Sequence, residues 1–150
     1  MQTTSQRVQF IKLETTKAPE FIDITDQVIK CVQKVDIKNG CAIVFSPHTT
    51  CAIKLNENEP LLLDDMEKFL ERVAPRNDHY EHNDFSIRTV NMTENEGPNG
   101  HAHCQNLLLG TSESIPIIDS ELQLGQWQSI FFVELDTSRD RQVLIQVVGE

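Results

Sequence analysis

Three histidines, His48, His82 and His103, carry the most chemical information in this chain. Each sits in a short polar motif: Pro47-His48-Thr49-Thr50, Tyr80-Glu81-His82 and His101-Ala102-His103. Three neutral imidazoles converging on one point would hold a divalent transition metal. They would leave a coordination position open for water, phosphate or a substrate oxygen. Zinc suits such a set best, with nickel, cobalt and iron(II) as rivals. The intervals between the motifs match no compact zinc signature, so the fold itself must bring them together.

Other side chains of suitable type accompany them. Glu57 follows the strand that leaves His48, within Leu55-Asn56-Glu57-Asn58. Beside a metal it would orient a histidine or act as a general base; otherwise it is a surface carboxylate at a strand end. Asp65 is either a residue behind a ligand or a favourable charge near the start of a helix. Thr49, Thr50 and Ser112 offer hydroxyls to a phosphate or to turn backbones. Arg139 and Arg141 alternate by two and share a face in an extended segment. There they would grip a phosphate or form surface salt bridges. Trp127 reads as a subunit-interface residue. No glycine-rich nucleotide loop, P-loop or G-x-S-x-G elbow is present, which argues against P-loop and serine-hydrolase chemistry.

The elements that must position these residues follow from periodicity. Gln6 to Leu13 alternates, with Val8 and Phe10 on one face, and reads as a strand. Ile22 to Thr25 leads into a helix running to about Val35, with Thr25 as its N-cap. Asn39-Gly40 marks a turn. Cys41 to Ser46 and Cys51 to Leu55 read as two strands joined through the first histidine motif. Pro60 opens a second helix, whose apolar stripe is Leu62, Met66, Phe69, Leu70 and Val73 and which Pro75 ends. Asp64, Asp65 and Glu67 in its early turns favour the helix dipole. Arg76 to Gly100 is polar and too long for a plain connection, which marks it as functional. Ala102 to Leu109 forms a short helix closed by Gly110. Ser114 to Ile118, Ser129 to Leu135 and Gln142 to Val148 are strands, the last two apolar enough to be central. Strands outnumber helices and βαβ alternation is absent. The expected fold is α+β and β-rich, with largely antiparallel, sandwich-like sheets and two or three outer helices.

At 150 residues the chain is expected to be one domain, 1–150, with a real core. Its net charge of −10 argues against a general nucleic-acid surface. Cys31, Cys41 and Cys51 lie in apolar runs and Cys104 in a helix; no C-x-x-C pair occurs, and reduced thiols are expected. With no signal peptide and no apolar run of spanning length, the expected location is the cytoplasm, away from membranes.

Several ordered blocks resemble the YjbQ-type family, a widespread set of small proteins often labelled secondary thiamine-phosphate synthases. They are His48-Thr49-Thr50, Leu55-Asn56-Glu57, Asp65 with the Met66-to-Leu70 helix, and Tyr80-Glu81-His82. Ala102-His103, Leu109-Gly110-Thr111-Ser112, Leu124-Gly125-Gln126-Trp127-Gln128 and Arg139-Asp140-Arg141 complete the series. The resemblance covers nearly the whole chain. It implies a β-rich α+β fold assembled as a homotrimer, with a histidine-lined metal site in a polar pocket near a subunit boundary. His48, His82 and His103 fall on the family's histidines; His79 and His101 are additional and read as supporting or surface residues. Thr137-Ser138 stands where many relatives carry Gly-Pro, and Asp119-Ser120 lacks a glycine often found there. The implied activity is thiamine phosphate synthesis from phosphorylated pyrimidine and thiazole substrates, with Glu57, Asp65 and Arg141 as candidate catalytic groups. Thr49, Thr50, Ser112 and Arg139 are the candidate ligand-binding groups. The alternative is a non-catalytic trimer that holds a metal or an anion.

Overall fold

The computed structural model describes residues 7–150. Eight strands and three α-helices follow in the order β1 (Val8–Glu14), β2 (Glu20–Asp23), α1 (Thr25–Gln33), β3 (Gly40–Phe45), β4 (Cys51–Glu57), α2 (Pro60–Val73), α3 (Gly100–Leu109), β5 (Ser112–Ile118), β6 (Glu121–Leu122), β7 (Gln128–Glu134) and β8 (Asp140–Gly149). A single 3-10 turn, Glu81–Asn83, interrupts the connection from α2 to α3.

The strands form two antiparallel sheets. One has the order β1-β8-β3-β5-β6 and the other β2-β7-β4. β8 and β7 are the strands read as central, and each has a neighbour on both sides. The sheets face one another across a core that includes Ala42, Val44, Ile53, Ile115, Phe132, Val143 and Ile145, into which α1 packs Val28 and Val32. A second apolar layer joins Ala52, Phe131 and Val133, on the outer face of the smaller sheet, to Leu70 of α2 and Ala102 of α3. β7 is therefore enclosed on both faces, which explains its unbroken apolar run. Such alternation between opposite faces is what a period-two strand requires.

The structure corrects one local reading, the cap of α1, and adds detail to three others. Gln6 lies outside the described residues; within β1 the inward face is that of Ile11, while Phe10 points outward at 57% exposure. Thr25 is the first helical residue and not the N-cap. Its hydroxyl donates to Asp23 at 2.5 Å and accepts the Ile130 N–H at 2.8 Å, which pins α1 to β7. The cap of α2 is Glu59, whose carboxylate accepts the Leu61 and Leu62 N–H groups at 3.0 and 2.8 Å, ahead of the acidic residues noted in the sequence. Finally, only Leu70 of the α2 stripe is fully buried, with Phe69 and Val73 half exposed in the single chain. The periodicity is helical, but it marks a face wider than this chain covers by itself.

Candidate functional site

The sandwich is open at the end where β3 runs into β4 and β7 into β8. A pocket of about 780 Å³ forms there. Its walls are Pro47 to Thr50 of the β3–β4 connection, parts of the long Glu81-to-Asn99 segment, His103 of α3, and Arg139 and Arg141 around the start of β8. All three histidines singled out from the sequence line this one cavity.

They play different local parts. Nε2 of His48 accepts the backbone N–H of Gln142 at 3.1 Å, and its ring meets Phe132 edge-on. An accepting Nε2 assigns the proton of the neutral ring to Nδ1. Burial, and then the charge of Arg141, pushes the His48 pKa below the ordinary histidine value. His82 and His103 sit together, ring centroids 4.7 Å apart and nearly perpendicular. Burial, and then the neighbouring His82, lowers the pKa of His103. His103 is thereby held toward the neutral form, which is the form that binds metals. Nε2 of His82 is buried and takes no hydrogen bond among the described residues; a carboxylate oxygen of Glu96 stands 3.6 Å away.

The donor types fit a transition metal. Their arrangement is open: among the described residues, no three His, Cys, Asp or Glu side chains gather as a ready coordination group. His82 and His103 would hold an ion as a pair. His48 would join only by giving up the Gln142 N–H.

Beneath the histidines lies a buried ionic floor. Glu134, fully enclosed, receives Nε and Nη2 of Arg141 at 2.7 and 2.8 Å, the Thr15 hydroxyl at 3.0 Å and the Asp136 N–H at 3.1 Å. Arg141 also donates to the Thr50 hydroxyl at 3.2 Å. Burial alone would raise the Glu134 pKa, but the hydrogen bonds and charge of Arg141 outweigh it and hold the carboxyl below the usual range. Asp136, also buried, forms an ion pair with Arg139 at 3.0 Å and accepts a hydrogen bond from Asn99 at 3.2 Å. Both arginines named from the sequence thus reach the pocket already paired with an acid, and Arg141 is a buried residue rather than a surface one.

The remaining sequence candidates divide. Thr49 and Thr50 line the pocket. Glu57 ends β4 opposite Gln128, whereas Cys51, at the other end of β4, is opposite Glu134. That is roughly 20 Å of extended strand. Asp65 is exposed on α2, and Ser112 begins β5; neither lines the cavity. His79 is exposed, while His101 is only 1% exposed, with both ring nitrogens lacking a hydrogen-bond partner among the described residues. Trp127 is exposed.

Sequence reasoning passed over Glu134, Asp136, Asn99, Glu96 and Arg88. Glu134 had a signal: a carboxylate within an apolar central strand must have a buried partner. Glu96 and Arg88 had none, because their pairing depends on the path of an irregular loop.

A family model described as "UPF0047 protein YjbQ-like" matches residues 9–150. The chain belongs to the YjbQ family. A UPF0047 protein of Methanothermobacter thermautotrophicus is 39% identical to it, over 95% of this chain and 92% of that protein. One from Archaeoglobus fulgidus is 38% identical, over 92% and 98%. Among solved structures, a hypothetical protein from Aeropyrum pernix K1 superposes with a TM-score of 0.84 at 32% identity, covering 95% of this chain and 98% of that one. A structure from Sulfolobus solfataricus P2, described as a YbjQ-like protein of unknown function, gives 0.81 at 34% identity, over 95% and 98%. In this YjbQ-family chain, the blocks containing His48, His82, His103 and Arg141 meet at the pocket. The Gly125-to-Gln128 block lies at the far end of the smaller sheet, facing Glu57.

Proposed function

We propose that this protein is a metal-dependent enzyme acting on a phosphorylated small molecule bound in the histidine-lined pocket. The observation that carries the reading is that His48, His82 and His103, distant in sequence, line one cavity together with Arg139, Arg141, Thr49 and Thr50. His82 and His103, joined by His48, would hold a divalent metal, zinc best of all, which would supply Lewis-acid stabilisation of a departing anion. Thr49 and the free edges of the two arginines would orient the phosphate. The family resemblance supports secondary thiamine phosphate synthase activity. There a thiazole nitrogen displaces pyrophosphate from the methylene carbon of the hydroxymethylpyrimidine. It also supports a homotrimer, for which the outward Phe10 and Phe45 of the larger sheet, and Phe69 and Val73 of α2, offer apolar surface.

A non-catalytic trimeric metal- or anion-binding role is the second reading. It is favoured by one specific observation: Arg139 and Arg141 are already neutralised by Asp136 and Glu134, and neither Glu57 nor Asp65 reaches the pocket within one chain.

The deciding experiment measures metal content by elemental mass spectrometry, beside His48→Ala, His82→Ala and His103→Ala. Turnover assays with the two phosphorylated substrates follow. About one metal per chain, lost in folded variants, with metal-dependent turnover, supports the enzyme. Metal without turnover supports the binding role, and no metal after reconstitution removes the metal from both.

A further inference from the structure

Within the connection between α2 and α3, the Arg88 side chain gathers several groups. Its Nε donates to the Val90 carbonyl at 3.2 Å and its Nη2 to the Asn91 carbonyl at 2.8 Å. Both terminal nitrogens then grip the Glu96 carboxylate, Nη1 at 2.6 Å and Nη2 at 3.2 Å. The two side chains are only 13% and 11% exposed. A bidentate, largely enclosed pair of this kind has little freedom to turn.

What the pair holds in place is the Glu96 carboxylate beside His82. Oε1 of Glu96 stands 3.6 Å from Nε2 of His82, and among the described residues it is the one carboxylate within 4 Å of that ring's nitrogens. Nε2 is buried and takes no other partner among the described residues. A buried imidazole nitrogen without an acceptor is costly, and the Glu96 carboxylate stands within ion-pair range of it.

We infer that Glu96, clamped by Arg88, is the positioning residue for His82. Its carboxylate draws the ring proton to Nε2 and leaves the Nδ1 lone pair as the face a ligand meets. The assignment of the tautomer follows from this chain's own residues. Its use rests on the proposed metal reading, because Nδ1 is then the nitrogen an ion takes. Outer carboxylates of this kind fix the orientation of a ligating histidine and raise its basicity.

Long-range proton–nitrogen NMR on metal-free, full-length protein labelled in histidine, at a pH where the rings are neutral, tests the assignment directly. The expected result is the Nε2–H form for His82 in the wild type. Glu96→Gln, which keeps an oxygen acceptor, retains that form. Glu96→Ala gives a mixture of tautomers and weakens zinc binding by about tenfold or more. Unchanged His101 resonances report that the variants fold. A wild-type His82 protonated on Nδ1 overturns the inference without any variant, and so does an unaltered tautomer in Glu96→Ala. If the wild type binds no zinc, the metal reading falls alone and the tautomer still decides this one.

Discussion

Glu134 on β7 and Arg141 on β8 join the two sheets through paired hydrogen bonds of 2.7 and 2.8 Å, with the carboxylate wholly enclosed. Removing water from two opposite charges costs several kcal/mol per ion, and only close geometry with further hydrogen bonds offsets it. Thr15, Thr50 and the Asp136 N–H supply those bonds here. The pair is therefore a fixed component of the pocket floor, whatever the histidines above it bind.

Breaking the pair from one side leaves the other charge buried alone. Arg141→Ala is expected to lower stability by about 3–5 kcal/mol. The double replacement Glu134→Leu with Arg141→Met is expected to recover most of that loss while abolishing ligand binding. Urea unfolding of the three proteins measures both effects.

Acid should act through the same carboxylate. The folded pKa of Glu134 lies below its ordinary value of 4.5, so the unfolded chain takes up the proton first. The stabilisation is present above that ordinary value and is lost as pH falls through the folded pKa. A Glu134→Gln variant is expected to show a flatter loss of stability below pH of about 4.5, starting from a lower value at neutrality. Unfolding midpoints taken across the acid range check this.

His101 acts in a higher window. Burial, and then the charge of Arg76, lowers its pKa from the ordinary 6.5, so folding favours the neutral ring. Stability from this group is complete above pH of about 6.5 and declines as pH falls below it, because only the unfolded chain then binds the proton. His101→Gln is expected to reduce the drop in melting temperature between pH 8 and pH of about 5.5. A variant with an unchanged drop would remove His101 as its source.

Gly40 pairs with Gly149 where β3 begins and β8 ends, and a Cβ on Gly40 would meet the backbone carbonyl of Val148. Main chain cannot turn aside as a flexible side chain does. Gly40→Ala is expected to cost about 1–3 kcal/mol, read as a shift of the urea midpoint, with hydrogen exchange at Val148 faster than in the wild type.

Much of this architecture is readable in the sequence because its signals are local. β7 and β8 declare themselves through apolar runs, α3 through Gly110, whose φ of 83° suits glycine after a helix, and the pocket through its histidine motifs. The four-residue β2 escapes notice, because Phe21 and Ile22 adjoin and show no alternation. Glu57 fails for a different reason. Its nearness to His48 in sequence is real, but β4 carries it along an extended strand to the opposite end of the sheet. Chain neighbours on a strand separate faster than those in a helix or a turn.

The long connection leaves α2 and rejoins the chain at α3, and Gln105 ties those helices by donating to the carbonyls of Leu70 and Ala74. The distance the connection spans is thus set by the helices and not by its own length. Residues can be gained or lost within it while the Glu134–Arg141 floor keeps its place. The stretches of the roof outside His82, Arg88, Glu96 and Asn99 are where such changes would disturb the floor least, so a lineage could alter what the pocket recognises by editing loop tips and inheriting the rest.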